Sequence, residues 1–326
     1  MNAMRDETSI TIKSLQNKLI IGLVLGLIIS TSLALWGDVG QIGNAVKGFG
    51  WHYAPQILAF VVMGYLGRFL KWQLYLEELD IKIGWQDSAR VFFSGLCMAV
   101  TPGKVGEVLK SYLLLKQHKV SFCRSAPTVI AERLTDLIAM LILASLAANF
   151  VTYGQTVIVM GLLMSLGLIC VLQWRRLATT LIKGLEHIPF VKPKAQLLNA
   201  MYESAYILSG GSLLFKALLI SVIAWLCECI ALYYILLGFG TAASLQVAMF
   251  VFSLGSIAGG LSMLPGGLGV AEGSMIGLLL SCGIDFTGAA GATLFARFGT
   301  LWFGVFLGLL TLLLNWRRFN LNARSD

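Results

Sequence analysis

Long apolar runs separated by short polar segments occupy most of this chain. A helix that crosses a bilayer needs about 20 consecutive, mainly apolar residues. Runs of roughly this length lie at residues 18–36, 55–75, 124–150, 155–173, 213–237 and 287–316. The pattern predicts an all-α polytopic membrane protein with about six full spans.

Two other apolar stretches are interrupted by proline and glycine, and they share one plan. Residues 94–136 contain TPGKVGE and later Arg133, while residues 253–300 contain LPGGLGVAE and later Arg297. The separation from proline to arginine is 31 residues in the first stretch and 32 in the second. The shared plan predicts an internal duplication.

The arms on either side of each break are short. In the first stretch they cover about residues 89–100 and 104–115, and about 12 helical residues extend only ~18 Å. Because the hydrocarbon layer is ~30 Å thick, we expect a re-entrant helical hairpin. The arms of the second stretch, at about residues 244–261 and 265–282, approach spanning length. That second hairpin is therefore predicted to be re-entrant or to consist of two short crossings.

Charge distribution gives the topology. With a re-entrant first hairpin, nearly all loop lysines and arginines fall on one side, the expected cytoplasmic side. The first hairpin then enters from the cytoplasm and the second from outside, which predicts an inverted-topology repeat.

We expect one transmembrane domain over residues 1–326, with repeat 1 at about 55–150, a cytoplasmic interfacial connector at about 174–212 and repeat 2 at about 213–316. Both termini are expected in the cytoplasm, and the membrane is expected to be a bacterial inner (plasma) membrane.

Composition supports a membrane location and narrows the function. The chain is 57% hydrophobic and 12% charged, with a mean hydropathy of +0.82, whereas soluble domains are about 25% charged. Basic loops account for the net charge of +8, and no basic face with interleaved aromatics indicates nucleic-acid binding. The six cysteines and three histidines lack the spacing of metal ligands, so no metal site is expected. No cofactor is expected, and the sequence has no Walker motif for ATP.

Arg133 and Arg297 are each predicted to lie about nine or ten residues into a span, from opposite faces. An unpaired arginine at the bilayer midplane costs from about 3 to over 10 kcal/mol, so each needs a partner or water. One interpretation is a buried ion-pair network, with Glu132 and Asp136 as local partners. The other is that both arginines bind a phosphate, whose oxygens match the guanidinium fork.

The helix starts after the two breaks favour the phosphate interpretation. Thr101 is predicted to cap a helix that begins at Pro102, and its exposed N–H groups would favour an anion. A lysine in the first turn, Lys104, is unfavourable unless an anion lies nearby. The predicted headgroup-binding set is Lys104, Arg133, Arg297, Thr101, Gly103, Gly106, Gly266, Gly267 and Gly269.

Acidic residues form the second predicted set. Glu107 and Glu272 each lie one turn inside a helix, where a carboxylate offsets the helix dipole or else binds an amine or carries a proton. The set predicted for amine binding or proton coupling is Glu107, Glu132, Asp136, Glu228 and Glu272. For Arg68 and Lys71, near the end of their span, snorkelling to the interface is a sufficient explanation.

These motifs resemble the membrane family named for the transmembrane, flippase region of lysylphosphatidylglycerol synthase. The resemblance rests on TPGKVGE, SFCRSAPTVIAERLTD and LPGGLGVAE with its later arginine, and it covers nearly the whole chain. It implies translocation of lipid headgroups between leaflets. A soluble synthase domain is not expected here, which puts the lysyl lipid in doubt as the substrate. The motif positions carried over are Pro102, Gly103, Lys104, Gly106, Glu107, Glu132, Arg133, Pro265, Gly266, Gly267, Gly269, Glu272 and Arg297.

The sequence therefore predicts a lipid flippase for a phosphate-bearing headgroup, carried by a phosphoglycerolipid, an aminoacylated or glycosylated lipid, or a polyprenyl phosphate. Its partners are membrane lipids and not nucleic acid, and a homo-oligomer is compatible with the pattern. No catalytic residue is predicted. The alternatives are a secondary transporter of a small anion and an intramembrane lipid-phosphate enzyme, for which Glu132 and Asp136 would have to hold Mg²⁺.

Overall fold

The computed structural model describes residues 47–101, 107–146, 154–186, 195–316 and 318–319. All regular structure in these ranges is helical. The helices are α1 (Ala54–Glu78), α2 (Trp85–Gly95), α3 (Leu109–His118), α4 (Phe122–Ser125), α5 (Pro127–Ser145), α6 (Gly154–Gln173), α7 (Arg175–Glu186), α8 (Ala195–Leu208), α9 (Gly211–Gly238), α10 (Leu245–Leu261), α11 (Val270–Ser281), α12 (Phe286–Arg297) and α13 (Phe303–Leu314). Short 3₁₀ segments cover Trp51–Tyr53, Leu96–Val100 and Pro265–Gly267, and a π turn, Phe298–Trp302, joins α12 to α13.

Three helical segments are long and apolar enough to cross a membrane, among the residues that the structure describes. They are Trp51–Glu78, Gly211–Gly238 and Phe286–Leu314, with 28, 28 and 29 residues. At about 1.5 Å per residue each extends ~42 Å, more than the hydrocarbon thickness. The predicted helices at residues 55–75, 213–237 and 287–316 are therefore confirmed.

The other predicted spans have different outcomes. Residues 155–173 are helical in α6, and the segment at 124–150 begins with the short α4 and continues as α5 to Ser145. Three charges in α5, at Glu132, Arg133 and Asp136, lower its hydropathy. The predicted first span, at residues 18–36, lies outside the described residues.

Helices α1 and α9 form an antiparallel pair. The N–H of Gly50, just before α1, donates to the carbonyl of Gly238 at the end of α9 (2.8 Å). A Cβ on Gly67 would lie 3.0 Å from the Cβ of Ala224. Small residues at this interface let the two backbones approach closely, as is typical of helix packing in membranes.

The first broken stretch forms a hairpin from α2 and α3. The first arm runs from Trp85 through the 3₁₀ segment to Val100, and the second begins at Leu109, later than predicted. Arg124, just beyond the hairpin, donates to the carbonyl of Asp80, just before it (3.5 Å). Both ends of this hairpin therefore lie where α1 ends.

The second broken stretch forms a hairpin from α10 and α11, joined by the Pro265–Gly267 turn. A Cβ on Gly288, just after it, would lie 3.4 Å from Thr241, just before it. Both ends of this hairpin therefore lie where α9 ends, opposite to the ends of the first. The two tips meet, since a Cβ on Gly266 would lie 3.5 Å from the Cα of Val100.

The connector predicted at about residues 174–212 contains α7 and α8, and its residues 187–194 lie outside the described ranges. Helix α7 covers residues 175–186 of this connector. Gln173 at the end of α6 donates to Ser209 (2.8 Å), just after α8. An exposed ion pair between Arg175 and Glu203 (2.6 Å) joins α7 to α8.

Candidate functional site

A cavity of about 330 Å³ lies where the two hairpin tips meet α1, α5 and α9. Charged side chains of both signs line it: Arg68, Lys71, Lys110, Arg133 and Arg297 are the cations, and Glu107, Glu132, Asp136 and Glu228 are the acids. Most of the predicted acidic set and both predicted arginines therefore share one space. Buried charges need partners, and each cation has one.

Arg133 projects from α5 and donates through its terminal nitrogen to Glu107, which precedes α3. The Glu107 side chain is buried, whereas 36% of the Arg133 side chain is exposed. The pair thus joins the second arm of the first hairpin to the helix that follows it. Arg133 presents the more accessible half of the pair to the cavity.

Arg297 makes the corresponding pair in the second stretch. Its Nε donates to Oε1 of Glu272 (2.6 Å), and a terminal nitrogen donates to the carbonyl of Gly266 (2.6 Å). Glu272 also accepts from the N–H of Gly269 (2.6 Å), which caps the start of α11. Glu272 therefore satisfies an orphan helix donor and holds Arg297 against the hairpin turn.

The acids next to Arg133 in the sequence pair with lysines instead of with Arg133. Glu132 accepts from Lys110 of α3 (2.5 Å), and Asp136 accepts from Lys71 of α1. Successive residues of an α-helix point about 100° apart, so Glu132 and Arg133 face different neighbours. The expectation that Glu132 and Asp136 are the local partners of Arg133 is therefore not met.

Arg68 donates to Glu228 of α9 (2.8 Å), and its guanidinium lies over the rings of Trp225 and Tyr65, at 4.5 and 5.4 Å from their centroids. The hydroxyl of Tyr65 donates to the carbonyl of Thr300 in the π turn. Snorkelling is thus the wrong explanation for Arg68 and Lys71, because both line the cavity and Lys71 is only 1% exposed.

The structure describes the glycines of the second break but not those of the first. Gly266 and Gly267 line the cavity with φ of +61° and +67°. In the first break, Pro102, Gly103, Lys104 and Gly106 lie outside the described residues. Thr101 is buried and its hydroxyl donates to the carbonyl of Met98 (2.7 Å). Its predicted capping of a helix at Pro102 depends on residues outside the described ranges and stays a prediction.

The sequence interpretation missed Lys110, Tyr65 and Trp225, which also line the cavity. Lys110 could have been identified from the sequence, because a single lysine inside the apolar run VLKSYLLL needs a buried carboxylate. Its ammonium lies beside Glu132 and over the ring of Trp72, 4.6 Å from the centroid. Tyr65 and Trp225 had no such signal, since aromatic residues are common in membrane helices.

The helical architecture and a charged internal cavity define an α-helical membrane protein. The chain matches the family described as lysylphosphatidylglycerol synthase TM region over residues 23–308, and it belongs to that family.

Several similar proteins align with more than half of the chain. Two UPF0104 membrane proteins of Methanothermobacter thermautotrophicus are 24% and 26% identical to it over 309 and 307 residues. These alignments cover 88% and 86% of this chain and 90% of each relative. The UPF0104 membrane protein MJ1078 of Methanocaldococcus jannaschii is 25% identical over 198 residues, or 59% of this chain and 82% of the relative.

Proposed function

We propose that this protein is a lipid flippase that moves a phosphate-bearing headgroup between the leaflets of a membrane. The observation that carries the proposal is that the cavity has charged walls and an apolar rim. Leu261 and Met263 line the same cavity and are 67% and 68% exposed. A cavity with charged walls and an apolar rim suits an amphiphile whose headgroup enters while its chains stay in the bilayer.

Arg133 and Arg297 are the proposed phosphate ligands. Charge-assisted, bidentate bonds to phosphate are among the stronger hydrogen bonds, and arginine forms them with a rigid fork of donors. The Nε of Arg133, the Nε of Arg68 and the indole N–H of Trp225 are buried without an acceptor among the described residues. These donors support an anionic oxygen as the ligand. In the proposal Lys104, Gly103, Gly106 and Thr101 complete the site from the first break.

Carboxylates hold the arginines when no lipid is present. Glu107 pairs with Arg133 and Glu272 with Arg297, which avoids the large cost of an unpaired charge in a membrane. A phosphate that enters the cavity would take over the arginine donors. The freed Glu107 would then be available for an amine of the headgroup or for a proton.

The placement of the hairpins supports alternating access. They begin and end at opposite ends of the molecule and their tips meet at the cavity, the arrangement expected of an inverted-topology repeat. Rocking of one repeat against the other would open the cavity to each leaflet in turn. Downhill scrambling or a proton carried by Glu107, Glu228 or Glu272 would drive the cycle. In this proposal both termini are cytoplasmic.

The two alternative functions have less support. A small soluble anion has no apolar part that would contact the rim at Leu261 and Met263. A Mg²⁺-dependent lipid-phosphate enzyme would need Glu132 and Asp136 to share a metal, but each accepts from a different lysine.

Leaflet exchange in liposomes tests the proposal. The substrate is phosphatidylglycerol with a fluorophore on a short acyl chain, and dithionite quenches the outer leaflet. The double variant Glu107→Gln/Arg133→Gln removes one ion pair without leaving an unpaired charge. Loss of a charged hydrogen bond worth about 1.5–3 kcal/mol predicts exchange slowed roughly tenfold or more.

The control is Arg175→Gln/Glu203→Gln, which removes an exposed pair on α7 and α8 and should leave the rate unchanged. Equal rates for the wild type and the Glu107→Gln/Arg133→Gln variant, with both folded, would refute the phosphate role. A parallel assay with a labelled soluble phosphate ester should show no uptake.

A further inference from the structure

The Lys71 ammonium lies in a pocket of three oxygens contributed by two other helices. It donates to Oδ1 of Asp136 and Oγ1 of Thr135 (3.3 Å) on α5, and to Oγ of Ser221 (2.7 Å) on α9. All three ammonium hydrogens therefore have an acceptor. Lys71, Thr135 and Ser221 are each 1% exposed, and Asp136 is 5% exposed.

The two hydroxyls are oriented so that their lone pairs face the ammonium. The hydroxyl of Thr135 donates to the carbonyl of Ala131 (2.9 Å), and that of Ser221 donates to Asp136 (3.2 Å). Because both protons are committed elsewhere, each oxygen presents a lone pair to Nζ of Lys71. A third hydroxyl, that of Tyr75, lies 3.2 Å from the Thr135 oxygen and holds it in place.

A carboxylate and two hydroxyl oxygens that converge on one point offer an acceptor to each of the three donors of a primary ammonium group. We infer that Asp136, Thr135 and Ser221 form an ammonium-binding site that the chain fills with its own Lys71 side chain. The site joins α1, α5 and α9 at the wall of the charged cavity, which Lys71 and Asp136 line, without a dissociable ion. The inference does not depend on the proposed lipid transport, because its readout is cation binding.

The neighbouring charges define what happens when Lys71 is removed. Asp136 would be left without its ammonium, while Arg68 of α1 and Arg133 of α5 remain paired with Glu228 and Glu107. The shorter side chain of alanine in the Lys71→Ala variant also leaves an empty space where the ammonium group was. A small ammonium ion from solution should therefore bind, whereas choline is too large for the space.

Thermal unfolding of the purified protein tests this. In Lys71→Ala, methylammonium chloride should raise Tm in a saturable way, by about 4 °C at roughly 100 times its Kd. Choline chloride at the same ionic strength should not. The wild type should show no difference between the two salts, and neither should Lys71→Ala/Asp136→Asn, which lacks the carboxylate.

Two controls keep the test decisive. Lys71→Met fills the space with an apolar chain and should lose the response to methylammonium. If Lys71→Ala needs a cation to fold, it should be recovered folded from membranes extracted in methylammonium chloride but not in choline chloride. The inference is wrong if Lys71→Ala is unfolded in both salts, responds equally to both, or responds as strongly without Asp136.

Discussion

Arg297 donates to Glu272, which stands 25 positions earlier in the chain, in the same way that Arg133 donates to Glu107, 26 positions earlier. In both cases the carboxylate follows a Pro-Gly break and the arginine comes from the helix after the hairpin. The duplicated plan of the sequence thus corresponds to two ion pairs at one cavity.

The Glu272–Arg297 pair should contribute strongly to stability. Both side chains are largely buried, at 3% and 12% exposed, and removal of one partner of a buried pair costs about 3–5 kcal/mol. Glu272→Gln keeps an oxygen for the N–H of Gly269 but leaves Arg297 without its counter-charge. We expect a clear loss of stability in chemical unfolding. Glu272→Gln/Arg297→Gln should recover most of it, and a double variant less stable than Glu272→Gln alone would contradict this account.

The turn before α11 should require glycine at position 269. Gly269 has φ of +85° and open space where a Cβ would stand, so only the backbone conformation opposes a side chain. Gly269→Ala should cost about 1–3 kcal/mol. Gly273→Ala is the matched control, because Gly273 also has open space but lies inside α11. There alanine should be neutral or stabilise by about 0.5–1 kcal/mol, and equal effects at the two positions would argue against backbone strain.

The sequence predicted the burial of some charges, but not of Lys71 or Lys110, and it did not predict which charges meet. Arg133, Arg297 and Glu228 stand inside long apolar segments, and that context alone indicates burial. The partner of Glu228 is Arg68, 160 positions away, and their contact depends on the packing of α1 against α9. The alternation of apolar and polar residues carries no information about such pairs. The long spans were predictable because their formation depends on local composition and not on contacts between distant residues.

Close packing of α13 against the first hairpin should depend on Gly308. A Cβ there would lie 2.3 Å from the backbone nitrogen of Cys97, within the 3₁₀ segment Leu96–Val100. Backbone atoms cannot rotate away, so Gly308→Ala should cost about 1–3 kcal/mol or more. It should also displace the hairpin tip and slow leaflet exchange. Gly277→Ala, with no atom within 4 Å of its added Cβ and a position inside α11, should not lower stability or slow exchange. If Gly308→Ala also does neither, the packing of α13 against the hairpin is unimportant.

The two hairpins should present their ends on opposite sides of the membrane. In a background without native cysteines, Lys82→Cys and Ser121→Cys would report the ends of the first hairpin, and Ala242→Cys and Ser281→Cys those of the second. All four positions are exposed. A membrane-impermeant maleimide should label the first two from one side of oriented vesicles, the cytoplasmic side by the positive-inside rule. The last two should react only from the other side. Labelling of Lys82→Cys and Ser121→Cys from different sides would mean that the first hairpin crosses the membrane. That result would refute the inverted arrangement of the two hairpins. Permeabilised vesicles, in which all four should react equally, provide the control for accessibility.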